Sequence, residues 1–283
     1  MRLLSWNIQW GRGADGRVEP ARTVAAIRAA GEFDLICLQE VACNFEGLPG
    51  GSGGDEVALF AAAFPGYTPV FGAGMDVPDG GGGRALFGNL LLSRLPVGQV
   101  FRHMLPAPGR SGAAGHAAGV RRGSGRRTRW PAAHPDDAPG VLLRPPARRA
   151  GGRAARPAGR SRGAGEAAGA GKESNPTFAA WPRPASAIVC GDFNCEPGSA
   201  EYARMQMPLG DDVPAWRDAW SLLNPGVPHP PSVGLHGADW PDRAYCCDFF
   251  FVTEDLAPRL RSVQVLADTP ASDHQPVVLE LSD

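Results

Sequence analysis

The sequence predicts an α/β protein in which two mixed sheets pack face to face with helices outside, a four-layer α/β/β/α sandwich. Apolar runs of strand length recur towards both ends of the chain, and segments of helical period fall between them. A chain of 283 residues with 43% hydrophobic content can also bury a core of that size, and one domain over 1–283 is the simpler division.

The elements follow in order. RLLSWNIQW reads as a first strand ending near Asn7. PARTVAAIRAA sets Val24, Ile27 and Ala30 three apart behind Pro20, with Gly31 placed to stop the helix. LICLQEV is a short apolar run, hence a buried strand that finishes on Glu40 and Val41. The glycine-rich loop LPGGSGGDE leads into a short helix over VALFAAAF, and TPVFGAGM and LFGNLLLSRLPV read as strands. Further on, AIVCGDFN is a strand that delivers polar residues at its end, and SAEYARMQ and AWRDAWSLL read as helices. AYCCDFFFV is apolar on both faces and therefore central; RSVQVLA follows as a strand, and SDHQPVVLEL enters the last one behind a polar tripeptide.

The net charge of −1 conceals a division. Between Ala107 and Ala170 there are 13 Arg against 3 acids, so the remainder holds 15 basic and 26 acidic residues and is itself acidic. Met1 leads directly into the first strand with no charged n-region and cleavage site, and no apolar run reaches membrane-spanning length, which predicts a cytoplasmic protein without a membrane span. The six cysteines form no CxxC pair, and most lie in apolar runs, which predicts buried free thiols. Oligomeric state is not legible.

Chemistry gathers where apolar strands end, because a rigid scaffold presents side chains there. Those positions hold Asn7, Glu40, Asp192, Asn194, Asp248, Asp273 and His274. Carboxylates and amides without a cysteine partner suit a hard cation such as Mg²⁺ or Mn²⁺, and a histidine beside it suits proton transfer. Taken singly, Asn7 could serve an Asx-turn, Glu40 a solvated strand end, GDFN a turn, and Asp273 with His274 a surface turn. Asp248 is different: CCDFFFV buries it, an unpaired carboxylate there costs several kcal/mol, roughly, and it therefore needs a partner, which His274 could supply.

SWNIQ, LQEV, GDFN, CDFFFV and SDHQPV, in this order, resemble the motif set of the endonuclease/exonuclease/phosphatase family of metal-dependent phosphoesterases. The resemblance spans both halves of the chain. It implies that Asn7 and Glu40 lie at the metal site with Glu40 the direct ligand, and that Asp273 adds a carboxylate near the ion. It further implies that Asp192 positions or activates the attacking water, that Asn194 holds a phosphate oxygen, and that His274, oriented by Asp248, meets the phosphoryl group. Trp240 and Arg243, in PHPPSVGLHGADWPDRAY, are candidates to hold substrate; the alternative is a proline-stiffened surface loop. The substrate is a phosphoester, small or nucleic acid, and the acidity outside 107–170 favours small phosphoesters at least as much as DNA.

One interval departs from the family pattern. Members normally carry two further core strands and a Thr-His-Leu motif between the strand like GNLLLSRLPV and GDFN. Here Ala107 to Ala170 contains no Ile, Phe, Tyr or Met, and Val120, Val141, Leu142 and Leu143 are its only branched aliphatics. Residues 107–171 are therefore expected to be disordered or loosely looped, with the central strands lost. A linker, a basic nucleic-acid arm and a gene read out of frame are the three explanations. With suitable codons, Asp136 to Ala147 read one nucleotide downstream spell Thr-Thr-His-Leu-Glu-Tyr-Tyr-Ser-Ala-Arg-Gln, the missing motif in the required place. The hypothesis is two compensating frame changes, near Pro106 to Ala114 and near Gly163 to Lys172; codons unable to spell Thr-His-Leu in that frame would end it. On this reading the chain as it stands folds poorly and has impaired activity. The alternative is a catalytically inactive metal- or nucleic-acid-binding protein that uses the Arg-rich segment.

Overall fold

The computed structural model describes residues 1–51, 53–102, 141–143, 186–208 and 213–283, with the backbone alone at 141–143. The larger sheet holds β1 (Arg2–Asn7), β2 (Leu35–Cys43), β3 (Thr68–Pro78), β4 (Arg84–Ser93), β9 (Leu260–Val265) and β10 (Val277–Leu281), in the order β3-β4-β2-β1-β10-β9. β1 and β2 are parallel, joined by the crossover helix α1 (Pro20–Ala29), and the remaining pairs are antiparallel. The second sheet is antiparallel and runs β5 (Val141–Leu143), β6 (Ile188–Asp192), β8 (Asp248–Thr253), β7 (Trp216–Asp218). The other helices are α2 (Glu56–Ala63), α3 (Ala200–Met205) and α4 (Ala219–Leu223). Among the described residues no helix is long and apolar enough to cross a membrane.

The strand period of two sorts the core into layers. On β1 and β2, Leu4, Trp6, Ile36 and Leu38 face α1 and α2, where Val24, Ile27 and Phe60 meet them. Their neighbours Leu3, Leu35 and Cys37 face the second sheet and pack with Ile188, Cys190, Phe250, Val252, Val277 and Leu279. Phe249 and Phe251 emerge on the outer side of the second sheet, under Tyr202 and Met205 of α3. The run FFFV is thus apolar on both faces because both faces are covered. α4 sends Ala219 and Leu223 into the inter-sheet core. Five of the six cysteines are buried and none of the six is in a disulfide.

Two expectations need correction. AWRDAWSLL is not one helix: Trp216–Asp218 adds to the edge of β8, with Trp216 opposite Thr253 and Asp218 opposite Phe251. The break falls at Asp218, whose carboxylate accepts from the backbone N–H of Trp220 at 3.2 Å and of Ser221 at 3.1 Å and so starts α4. A carboxylate that caps a helix ends the strand before it. Within 107–171 a strand does form at Val141–Leu143, the one cluster of branched aliphatics there, paired antiparallel with β6 from Val141 opposite Cys190 to Leu143 opposite Ile188. The rest of that interval, and the expectations about disorder and reading frame with it, lies outside the described residues.

This topology brings chemistry to one end of the sandwich. β1 ends on Asn7, β6 ends on Asp192, and Asp248, which opens β8, stands directly opposite Asp192 in the antiparallel register. β2 carries Glu40 through an irregularity: Leu38 pairs with Leu90 and Val41 with Gly88, so Gln39 and Glu40 together oppose Asn89 alone. This is a β-bulge, and it holds Glu40 at φ 57°, a conformation uncommon outside glycine.

Candidate active site

The amide of Asn7 is the hinge of the site. Its Nδ2 donates to Glu40 Oε1 at 2.9 Å and to Asp192 Oδ2 at 3.3 Å, joining carboxylates from the two sheets. Its Oδ1 accepts from the Gln9 backbone N–H at 3.1 Å, so Asn7 orients the carboxylates with its nitrogen. Gln9 extends the arrangement by donating from Nε2 to Asp273 Oδ2 at 2.8 Å. Ser272 closes it, donating to the Asn7 carbonyl at 2.8 Å and standing 3.1 Å from Asp273 Oδ1. Glu40, Asp192 and Asp273 are thereby tied to one three-residue stretch, Asn7 to Gln9.

His274 occupies the other side. Its Nδ1 lies 2.9 Å from Asp248 Oδ2, and its Nε2 lies 3.7 Å from Asp192 Oδ2. Trp6 pins its backbone by donating Nε1–H to the His274 carbonyl at 3.0 Å. Asp248 Oδ2 also accepts from Ser232 Oγ at 2.7 Å, while its Oδ1 has no hydrogen-bond partner among the described residues. Asn194 is exposed beside this group at φ 49°, and its backbone N–H donates to Asp192 Oδ1 at 2.8 Å.

Trp240 and Arg243 lie in the loop before β8. Trp240 is exposed and meets Tyr245 edge to face with ring centroids 6.4 Å apart; Arg243 lies 4.9 Å over the Tyr245 ring and pairs with Glu196. Glu196 is two residues past Asn194, so this ion pair joins the loop to the segment that leaves β6. The structure thus brings Asn7, Glu40, Asp192, Asp248, Asp273 and His274 together, with Asn194 at their edge and Trp240 and Arg243 outside the hydrogen-bonded cluster.

The electrostatics are those of crowded acids. Burial pushes the Glu40 carboxyl up to about 8 against the pull of its Asn7 hydrogen bond and the His274 charge, with Asp192 and Asp273 adding repulsion. Burial likewise raises Asp192, to about 6, with Asp248 adding repulsion, and it raises Asp273 as well. For His274 burial favours the neutral ring, but the facing carboxylates Asp248, Asp192 and Asp273 outweigh it and hold the imidazole well above its usual range. Among the described residues His274 is the cationic partner of Asp192 and Asp248.

Such a set is underneutralised, and a divalent cation fits it. The buried carboxylates Glu40, Asp192 and Asp273 are oxygen donors of the kind Mg²⁺ and Mn²⁺ prefer. A different grouping is also present: Asp192, Cys247 and His274 offer an oxygen, a sulfur and a nitrogen within 4.8 Å of one another. Burial, with Asp248 and Asp192, raises the Cys247 thiol well above its usual range, so it stays protonated in the free protein, and a protonated thiol is no ligand for a hard ion.

The sequence does not single out the supporting residues Gln9, Ser232, Ser272 and Cys247. Gln9 and Ser272 adjoin candidate residues in SWNIQ and SDHQPV, and polar neighbours inside those motifs are the signal that could have found them. Ser232 sits in a proline-rich loop and reaches Asp248 through the bridges that pair Val233 with Tyr245 and with His274, for which the sequence carries no local mark.

A model of the Endonuclease/Exonuclease/phosphatase family matches residues 4–274, nearly the whole chain. The chain belongs to this family. Its family places it among phosphoesterase-like hydrolases, whose members generally use divalent metal ions. Among solved structures, the endonuclease/exonuclease/phosphatase from Beutenbergia cavernae is similar at 18% identity over 100% of this chain and 72% of that one, with a TM-score of 0.47. The 3'-5' exonuclease NExo from Neisseria meningitidis is similar at 13% identity over 100% of both chains, with a TM-score of 0.46. A 3' phosphatase NExo from Neisseria, bound to product DNA hairpin, is similar at 13% identity over 100% of both chains, with a TM-score of 0.45. No curated protein matches this chain significantly.

Proposed function

We propose that the chain is a Mg²⁺- or Mn²⁺-dependent hydrolase of phosphoester bonds, working by attack of water on a bound phosphate. The observation that carries the proposal is the single amide of Asn7 bonded to Glu40 of one sheet and Asp192 of the other. Acids separated by about 150 residues in sequence are held at one point where their charges oppose each other, an arrangement that costs stability unless a cation is to be bound.

In this reading Glu40 and Asp273 hold the ion and Asn7 positions Glu40. When bound, the cation supplies Lewis acidity that offsets negative charge developing on the phosphate. The protein's own groups do the rest. Asp192, fixed through Oδ1 by the Asn194 backbone N–H, orients a water and accepts its proton. Asn194 donates its side-chain amide to a non-bridging phosphate oxygen. A carboxylate can only accept a hydrogen bond, so Asp248 requires the proton of His274 on Nδ1. The positively charged ring then also presents Nε2–H, which donates to the phosphoryl group as charge builds there. The acidity of the chain outside 107–170 supports small phosphoesters as substrates at least as well as DNA, and Trp240 and Arg243 are the candidate substrate contacts.

Assay of the purified chain on a panel of phosphomonoesters and diesters with Mg²⁺ and Mn²⁺ tests this. Metal-dependent release of phosphate or alcohol that disappears in Asp192→Ala, with the circular dichroism unchanged, is the expected result. Turnover in chelator, or equal turnover in Asp192→Ala, would contradict it.

A further inference from the structure

We propose that Asp192, Cys247 and His274 form a thiophilic metal site, one that takes zinc or cadmium and thereby withdraws His274 from phosphoester chemistry. The three donor atoms lie within 4.8 Å of one another and all three residues are buried. Asp192 Oδ2 and His274 Nε2 are 3.7 Å apart. On a tetrahedral zinc, bonds of about 2.0–2.1 Å to N and O and 2.3 Å to S set donors about 3.3–3.6 Å apart, so the donors must draw together, with Cys247 Sγ, which stands 3.9 Å from His274 Nδ1 and 3.5 Å from Asp248 Oδ2, turning towards Nε2.

The choice of nitrogen is already made. Asp248 occupies Nδ1 at 2.9 Å and leaves Nε2 available to a ligand. A histidine ligand whose other nitrogen is held by a carboxylate is the usual arrangement at zinc, because it fixes the tautomer and raises the basicity of the ligating nitrogen. Ser232 steadies that carboxylate in turn, at 2.7 Å. The mixed O, N, S set separates this ion from Mg²⁺ or Mn²⁺: thiolate is a poor ligand for hard cations and a good one for Zn²⁺ and Cd²⁺. Capture of the ion breaks the Cys247 S–H bond and the His274 Nε2–H bond and forms sulfur–metal and nitrogen–metal bonds; two protons pass to solvent and no electrons are transferred.

The inhibitory part of the proposal rests on the hydrolytic reading of Asp192 and His274, whereas the binding itself does not. The experiment separates the two. Cd²⁺ is titrated into the full chain in excess Mg²⁺ while the ultraviolet thiolate-to-cadmium charge-transfer band is followed. The band grows to one equivalent, is lost in Cys247→Ser and persists in Cys195→Ser, the substitution at the half-buried cysteine. In the hydrolysis assay Zn²⁺ inhibits the unmodified chain, and Cys247→Ser requires at least about tenfold more. Absence of the band in the unmodified chain, or its persistence in Cys247→Ser, overturns the proposal even if the protein turns nothing over. Equal zinc sensitivity of the two chains overturns the inhibitory role. If Cys247→Ser does not fold, the Co²⁺ adduct of the unmodified chain decides: sulfur-to-cobalt charge transfer supports the site, and its absence overturns it.

Discussion

His274 Nδ1 stands 2.9 Å from Asp248 Oδ2, and Ser232 Oγ holds the same carboxylate oxygen at 2.7 Å. The loop at Ser232 and the start of β8 at Asp248 thus fix one imidazole ring, and Nε2 is left facing Asp192 at 3.7 Å. Asp248→Asn keeps the shape but can offer an N–H to Nδ1, which favours the wrong tautomer. The expected result is a fall in kcat of about 10²–10⁴-fold with little change in KM, because the interaction matters as charge develops on the phosphate. Steady-state kinetics check this, and an unchanged kcat would remove His274 from the chemistry.

A second prediction concerns the bulge that carries Glu40. Gly88 lies on β4 where β2 has its irregularity at Leu38/Val41 and β3 has its own at Ala73/Met75. A Cβ at Gly88 would stand 2.1 Å from the Gly72 carbonyl oxygen, with the Ala73 Cα at 2.9 Å, so backbone must move to admit it. Gly88→Ala is expected to cost at least about 1–3 kcal/mol in urea unfolding and to raise the Mn²⁺ concentration needed for half-maximal activity. A variant with unchanged midpoint and metal requirement would show that the bulge does not position Glu40.

The legibility of the site in the sequence follows from where each signal lies. Asn7, Glu40 and Asp192 stand out because each ends a run of apolar residues, and a polar side chain there must either reach solvent or serve a site. Asp248 stands out for the opposite reason, being enclosed by CC and FFF. The bulge at Glu40 is not legible, since nothing in LQEV marks a residue for φ 57°; β4 imposes it from across the sheet. Ser232 is hidden for the same reason, its role being set by packing against His274 and Tyr245 and not by its neighbours. AWRDAWSLL has an apolar spacing that suits a helix, but the edge of β8 claims its first residues and Asp218 divides it.

Glu56 gives a pH dependence outside the candidate site. It is buried, accepts the Ala42 backbone N–H at 2.9 Å, and burial raises its carboxyl to about 7 from 4.5. Because the folded-state value is the higher one, the folded protein binds the extra proton between pH 4.5 and about 7. This contribution to stability is fully present below pH 4.5 and is lost as the pH rises through about 7. Relative to Glu56→Gln, the unmodified chain should lose up to about 1.4 kcal/mol per pH unit across that window. Denaturant unfolding of both chains at several pH values checks it, and parallel pH curves would contradict it.

The convergence of Glu40, Asp192 and Asp273 on one cation is tested most directly by Mn²⁺ binding without substrate, read as loss of the free-ion electron paramagnetic resonance signal. The unmodified chain is expected to take up the ion. Glu40→Gln and Asp273→Asn, each folded by circular dichroism, are expected to weaken uptake by at least about tenfold. Variants that bind Mn²⁺ as tightly as the unmodified chain, or an unmodified chain that leaves the signal untouched, would contradict the account.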